Sequence, residues 1–167
     1  RICKQKVVKK LIKNIMKGMK KMEYKIVEID EKIIVGLSER MKNDNTTIEK
    51  IKNLWKNFCN EDGIGEIKNI RDRINKNTVS VYYNYSNENE LEYNNLICCE
   101  VENKNTYISN NLTRIIIPSG KYAKFTIYGN PNIEVTKFWN EFWGSFGNDL
   151  DRLFSYDFEE YIQGNEN

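Results

Sequence analysis

The 167 residues include no histidine, so the commonest general base and the commonest metal ligand are both missing. Ser-His-Asp and Cys-His nucleophile systems are thereby excluded with the usual zinc-enzyme sites, and chemistry must come from carboxylates, tyrosines, cysteines or lysines. Among the acids Glu100 stands out, because it follows the apolar run Leu96-Ile97-Cys98-Cys99. Strand alternation puts it on the face of Leu96 and Cys98. A carboxylate on an apolar surface is costly unless a cation or hydrogen bonds compensate it. At about 4 Å and an effective dielectric near 20, a cation offers roughly 4 kcal/mol. A ligand could supply that cation; the alternative is a carboxylate at a frayed strand end near Glu102, facing water.

Aromatic side chains offer the second kind of chemistry. Trp55 and Phe58 recur at helical spacing, as do Phe138, Trp139, Phe142 and Trp143, and residues at such spacing are more often core than cage. Two helices each presenting a tryptophan to one cleft would still give faces for a flat or cationic ligand, at about 0.5 to 2 kcal/mol per contact. Trp139 and Trp55 are the candidates. In Tyr82-Tyr83-Asn84-Tyr85, Tyr83 and Tyr85 share one strand face and Tyr82 takes the other, and Tyr83 is the candidate for the pocket. The four cysteines, Cys3, Cys59, Cys98 and Cys99, form no C-x-x-C pair, and the adjacent two point to opposite faces. They read as free thiols in a reducing cytoplasm, with no metal and no cofactor expected. Glu88, Glu90 and Glu92 lie in an asparagine-rich connection without the pattern of a calcium loop.

The elements that must carry these groups follow from periodicity. Tyr24 to Ile29 and Ile33 to Leu37 read as strands; Thr46 and Glu49 open a helix with the face Ile48, Ile51, Leu54, Trp55 and Phe58. Residues 64–77 read as an irregular connection. Thr78 to Tyr85 and Leu96 to Val101 read as paired strands, and Thr113 to Ile117 and Lys121 to Tyr128 as antiparallel neighbours around Pro118-Ser119-Gly120. A second helix starts at Asn130-Pro131, and Asp157 to Ile162 is a closing strand. The order predicts an α+β fold, a mostly antiparallel sheet with both helices on one face.

Charge divides the chain unevenly. Residues 1–22 carry nine basic residues and no acid, against 17 basic and 24 acidic residues from Glu23 onward. From Val8 to Met22 the head has the spacing of a basic amphipathic helix. It is read as an extension or linker preceding a start at Met19 or Met22, or as a segment that meets DNA, a DNA-binding domain or a membrane surface. Twenty-two residues are too few for a complete helix-turn-helix. No apolar run approaches the roughly 18 residues of a membrane span, and the domain is expected at residues 23–163, followed by a tail at 164–167.

Several of these segments together resemble the GyrI-like family. They are the Tyr-Tyr-Asn-Tyr strand ending at Tyr85, Cys98-Cys99-Glu100-Val101, Pro118-Ser119-Gly120-Lys121-Tyr122-Ala123-Lys124-Phe125-Thr126, the tryptophan-bearing second helix and Phe158-Glu159-Glu160-Tyr161. The P-x-G-x-Y-A-x-F-T run is the most specific of them. The resemblance spans Met22 to Ile162 and implies a small-molecule-binding domain of the kind attached to AraC-type and MerR-type transcription activators. It further implies two similar β-α-β-β halves in one sheet, a ligand cleft between the two helices and a central glutamate, which falls on Glu100. Cys98 stands where glycine is usual, which would narrow the pocket floor.

Three functions follow as expectations. The first is a cytoplasmic sensor for a small organic ligand, cationic or amphipathic, in the manner of a multidrug-binding domain. The second is a GyrI-like hydrolase acting on strained-ring compounds or xenobiotics, with the cleft glutamate as general acid or base. The third is a gyrase-inhibitor-like protein whose basic head meets DNA or an acidic protein surface.

Overall fold

The computed structural model describes residues 2–5, 22–42, 44–59, 65–86, 92–146 and 152–163. Eight strands form one antiparallel sheet: β1 (Ile2–Gln5), β2 (Lys25–Ile29), β3 (Lys32–Met41), β4 (Thr78–Tyr83), β5 (Tyr93–Val101), β6 (Thr113–Ile117), β7 (Gly120–Lys124) and β8 (Arg152–Tyr161). Two helices, α1 (Thr47–Cys59) and α2 (Pro131–Glu141), complete the α+β fold. Asn130 caps α2, its side chain accepting from the Asn132 N–H at 3.0 Å, and Pro131 fits the first turn, where no amide partner is needed. The helix then loosens into a π turn, Phe142–Phe146.

The strand order β2-β7-β1-β8-β4-β5-β3-β6 has an internal symmetry. On one side of the β8–β4 seam, β3 leads through α1 to β4 and β5, with β6 outside β3. On the other, β7 leads through α2 to β8, with β2 outside β7. The place matching β5 is taken by β1, which pairs with β7 and β8. Ile2–Gln5, expected in an extension outside the domain, therefore lie within the sheet. The amphipathic helix expected over Val8 to Met22 and the tail at 164–167 fall outside the described residues, except Met22, which packs beside α2.

The Pro118-Ser119 turn departs from the antiparallel pairing expected of its flanking strands. β6 and β7 flank Pro118-Ser119 but do not pair with each other; β6 pairs with β3 at one edge, and β7 pairs with β1 and β2 near the other. With only two residues between them, these strands can sit at opposite ends of the order only if the sheet curls until its ends meet. The turn is a corner, with Gly120 at φ 151°, a conformation glycine adopts without steric penalty. Tyr122 donates to the Pro118 carbonyl at 2.8 Å across it.

Curling gives the sheet an inside and an outside. Inside, Ile34, Val79, Val81, Leu96, Cys98, Ile117, Tyr122 and Phe158 form one buried cluster. Gly36 stands opposite Cys98, where a Cβ would come within 2.0 Å of the Ile97 carbonyl, so β3 and β5 can approach only because that residue is glycine. Outside, Leu54 and Phe58 of α1 pack on Val35, Ile97, Cys99 and Val101, and Phe138 and Phe142 pack on Ala123 and Phe125. Both helices thus cover the outer face.

Candidate functional site

β8 runs between the two helices, and alternation directs Asp157, Glu159 and Tyr161 to the helix side while Phe158 enters the curl. Glu159 is only 5% exposed and is held by three aromatic donors. The Trp139 indole donates to Oε1 at 2.6 Å, the Tyr82 hydroxyl to Oε1 at 3.1 Å, and the Tyr161 hydroxyl to Oε2 at 2.5 Å. Trp55 meets Tyr161 edge-on with ring centroids 4.9 Å apart, so each helix brings one tryptophan to this carboxylate's surroundings. Tyr82 in turn meets Trp139 and Tyr93 edge-on at 5.6 and 5.7 Å. Burial, and after it the Glu159 charge, pushes the Tyr93 hydroxyl above the ordinary tyrosine value.

A cavity of about 320 Å³ opens beside this group, within the range of small-molecule sites. Glu159 and Tyr161 form one wall; Phe125 to Gly129, Pro131 and Val135 form the other. Lys124, Glu160 and Ile162 complete the lining, so two acidic residues and one basic residue stand among aromatic and aliphatic surfaces, and the rings of Phe125, Tyr128 and Tyr161 offer faces to an organic cation.

Next along β8 lies a second polar group. Asp157 pairs with Arg152 and accepts from the Tyr85 hydroxyl at 2.7 Å. Burial, followed by the Asp157 charge, drives the Tyr85 hydroxyl far above its ordinary value and keeps it a donor.

Of the residues singled out from sequence, Trp139 and Trp55 come together here, whereas Glu100 and Tyr83 do not. Glu100 shares the inner face with Leu96 and Cys98, as alternation required, but that face lies away from the helices. Its carboxylate accepts from Lys32 Nζ at 2.6 Å, so the compensating cation belongs to the chain. Tyr83 also faces the curl, stacked on Tyr156 at 6.4 Å and hydrogen-bonded to Ser38 at 2.9 Å. Tyr82, its neighbour on the opposite face, is the one at the cleft. Cys98 is not in the lining of the cavity beside Glu159; its thiol donates to the Val79 carbonyl at 3.2 Å, and burial holds its pKa well above the usual range. Cys99, on the helix side, is pushed up to about 11, mainly by burial. Glu92 is engaged by Arg40 and Lys42.

Sequence reasoning passed over Glu159 and Tyr161 as site residues. Phe158-Glu159-Glu160-Tyr161 carried a usable signal: an acid and a tyrosine two apart, thus on one face, alternate with a phenylalanine fit for a core.

The family model of Cass2, the integron-associated effector binding protein, matches residues 25–167, and the chain belongs to that family. No curated protein sequence matches it. Among solved structures it is similar to the integron cassette protein VCH_CASS2 from the mobile metagenome of Vibrio cholerae, with 25% identity, TM-score 0.63, and 84% of this chain and 88% of that chain covered. It is similar in fold to SAV2435 bound to tetraphenylphosphonium, with 19% identity, TM-score 0.65 and 86% of each chain covered. A Staphylococcus aureus MU50 protein described as a bacterial transcription regulation protein has TM-score 0.60 and 19% identity over 87% of this chain and 90% of that one. The fold is that of GyrI-like effector-binding domains. Among the described residues no helix is long and apolar enough to cross a membrane.

Proposed function

We propose that Ile2–Gln5 and residues 22–163 form an intracellular sensor domain whose outer cleft takes a bulky organic cation, with Glu159 opposing the charge, Phe125, Tyr128 and Tyr161 lining the cavity, and Trp139, Tyr82 and Trp55 packed behind Glu159 and Tyr161. The carrying observation is the Glu159 carboxylate, held by three aromatic donors beside a cavity of about 320 Å³. A carboxylate in such surroundings interacts more strongly with a cation than it would in water, because the local dielectric is low. Membership of an effector-binding family supports a small-molecule ligand. The aromatic monocation carried by SAV2435, which shares the fold, supports the class chosen here. The occupied cleft is read as signalling to a transcription partner, with the basic residues that follow β1, from Lys6 to Lys21, as a contact for DNA or a DNA-binding domain.

Tetraphenylphosphonium and tetraphenylborate place the same four rings around opposite charges, and quenching of tryptophan fluorescence reads the affinity of each. The phosphonium is expected to bind at least about tenfold more tightly, roughly 1.4 kcal/mol. Equal affinity, or preference for the borate, contradicts the reading. Mass spectrometry of the saturated mixture is expected to return the phosphonium unchanged. Turnover of a strained-ring or xenobiotic panel, abolished by Glu159→Gln, would favour the hydrolase instead.

A further inference from the structure

The cleft reading leaves one part of the same face unused. Arg152 and Asp157 are an ion pair with side chains only 1% and 3% exposed. The Arg152 guanidinium carbon also lies 4.5 Å from the centroid of Trp143, 4.6 Å from Phe154 and 5.3 Å from Phe142. Three aromatic faces and a carboxylate around a delocalised cation are what recognition of a foreign organic cation requires. Here the cation is the chain's own side chain.

The backbone is distorted to make this arrangement. β1 moves only from Cys3 to Gln5 while its partner on β8 moves from Asp157 back to Arg152, so β8 bulges over the residues between. Within the bulge Phe154 has φ 47°, a left-handed conformation that is a genuine outlier for a bulky residue. Regular alternation would send residues five apart to opposite faces; the bulge lets Arg152 reach Asp157 and carries the Phe154 ring over the guanidinium. Costly backbone geometry of this kind persists where surrounding contacts enforce it.

This filled cage adjoins the cleft. Asp157 and Glu159 are alternate residues of one strand, roughly 6.6 Å apart along it, on one face. Trp143 stacks on Trp139 with centroids 6.0 Å apart and planes 15° from parallel, and Trp139 donates to Glu159. The two carboxylates therefore share one aromatic wall.

We propose that Arg152 occupies a second cation subsite from within and so restricts the cleft to ligands bearing a single positive charge. The inference rests on the cleft reading above. A dication spanning Glu159 and Asp157 would have to displace the guanidinium, whereas a monocation at Glu159 leaves it in place. Removing the Arg152 charge should open the subsite to a second positive centre.

Methyl viologen, a rigid flat dication, and N-methyl-4-phenylpyridinium, its monocationic isostere, are the probes, again read by tryptophan quenching. Wild type is expected to bind the monocation at least as tightly as the dication. In Arg152→Gln, which keeps a donor toward Asp157 while removing the charge, the dication should gain tenfold or more relative to the monocation. Arg152→Gln combined with Asp157→Asn should cancel that gain, and this double variant leaves no buried unpaired charge to threaten folding. An unchanged ratio in folded Arg152→Gln overturns the inference, because Arg152 is then a structural clamp only. Wild type that binds neither probe counts against the cleft reading, while a dication gain in Arg152→Gln alone still supports the subsite.

Discussion

The two faces of the curled sheet each hold a glutamate, half-buried inside and buried outside, and they treat it differently. Inside, Glu100 meets Lys32 at 2.6 Å and completes a local ion pair beside an aliphatic cluster. Outside, Glu159 is held at 2.5 to 3.1 Å by an indole and two phenols, and itself lines a cavity with Tyr161 and the segment Phe125 to Gly129. The Lys32 ammonium directly opposes the charge of Glu100, whereas the indole and the two phenols orient Glu159 through hydrogen bonds. The apolar run before Glu100 marked it in the sequence, whereas Glu159 follows Asp157-Phe158 and carried no such mark; their partners in space tell the two apart.

The sharpest break in this comparison would come from the residue that lies between the cleft groups along β8. Phe158 is 1% exposed and points into the curl, opposite in direction to Glu159. Phe158→Ala is expected to cost about 3 to 5 kcal/mol of stability, measured by urea unfolding, the range for a phenylalanine truncated in a core. Whatever protein remains folded at low temperature should keep its preference for phosphonium over borate. Loss below about 1 kcal/mol would mean that the interior is not the packed core described here.

A smaller effect concerns alkali, and both faces contribute to it. Burial raises Cys98 inside the curl, and raises Cys99, Tyr85 and Tyr93 on the helix side, from ordinary values of 9.0 for a thiol and 10.0 for a phenol. A raised pKa means that the folded chain holds its proton after the unfolded chain has lost it. The unfolded state then binds fewer protons, and stability falls as pH rises. This contribution is complete below about pH 9 and is lost progressively above it. The midpoint of thermal unfolding should therefore be level from about pH 7 to 8.5 and decline by pH 10.5. A level midpoint across the whole range would place these groups in water.

Much of the architecture was legible because it is written in local periodicity. The stripe through Leu54, Trp55 and Phe58 and the cap at Asn130-Pro131 define the helices without tertiary information. The sheet order was not legible, because Pro118-Ser119-Gly120 has the same turn chemistry whether its strands pair or turn a corner. Alternation correctly grouped Glu100 with Leu96 and Cys98, and separated Tyr82 from Tyr83, but it wrongly put Tyr85 on the face of Tyr83: β4 ends at Tyr83, and Asn84 at φ 54° turns Tyr85 to Asp157 on the helix side. It could not say which face the helices would cover, which is why the site proposed here takes Glu159 and Tyr82 in place of Glu100 and Tyr83. The bulge at Phe154 has no sequence signal, since neither glycine nor asparagine marks its left-handed residue.

The most direct measurement sets the two glutamates against each other. Glu159→Gln and Glu100→Gln are titrated in parallel with tetraphenylphosphonium, each checked for a cooperative thermal transition. Glu159→Gln is expected to weaken binding by about 1 to 3 kcal/mol, the scale for losing a charged partner in a buried setting. Glu100→Gln, which disturbs only the pair with Lys32, is expected to leave the affinity within about twofold, well under 1 kcal/mol. The reverse ranking would place the ligand on the inner face and contradict the assignment of the outer cleft as the binding site.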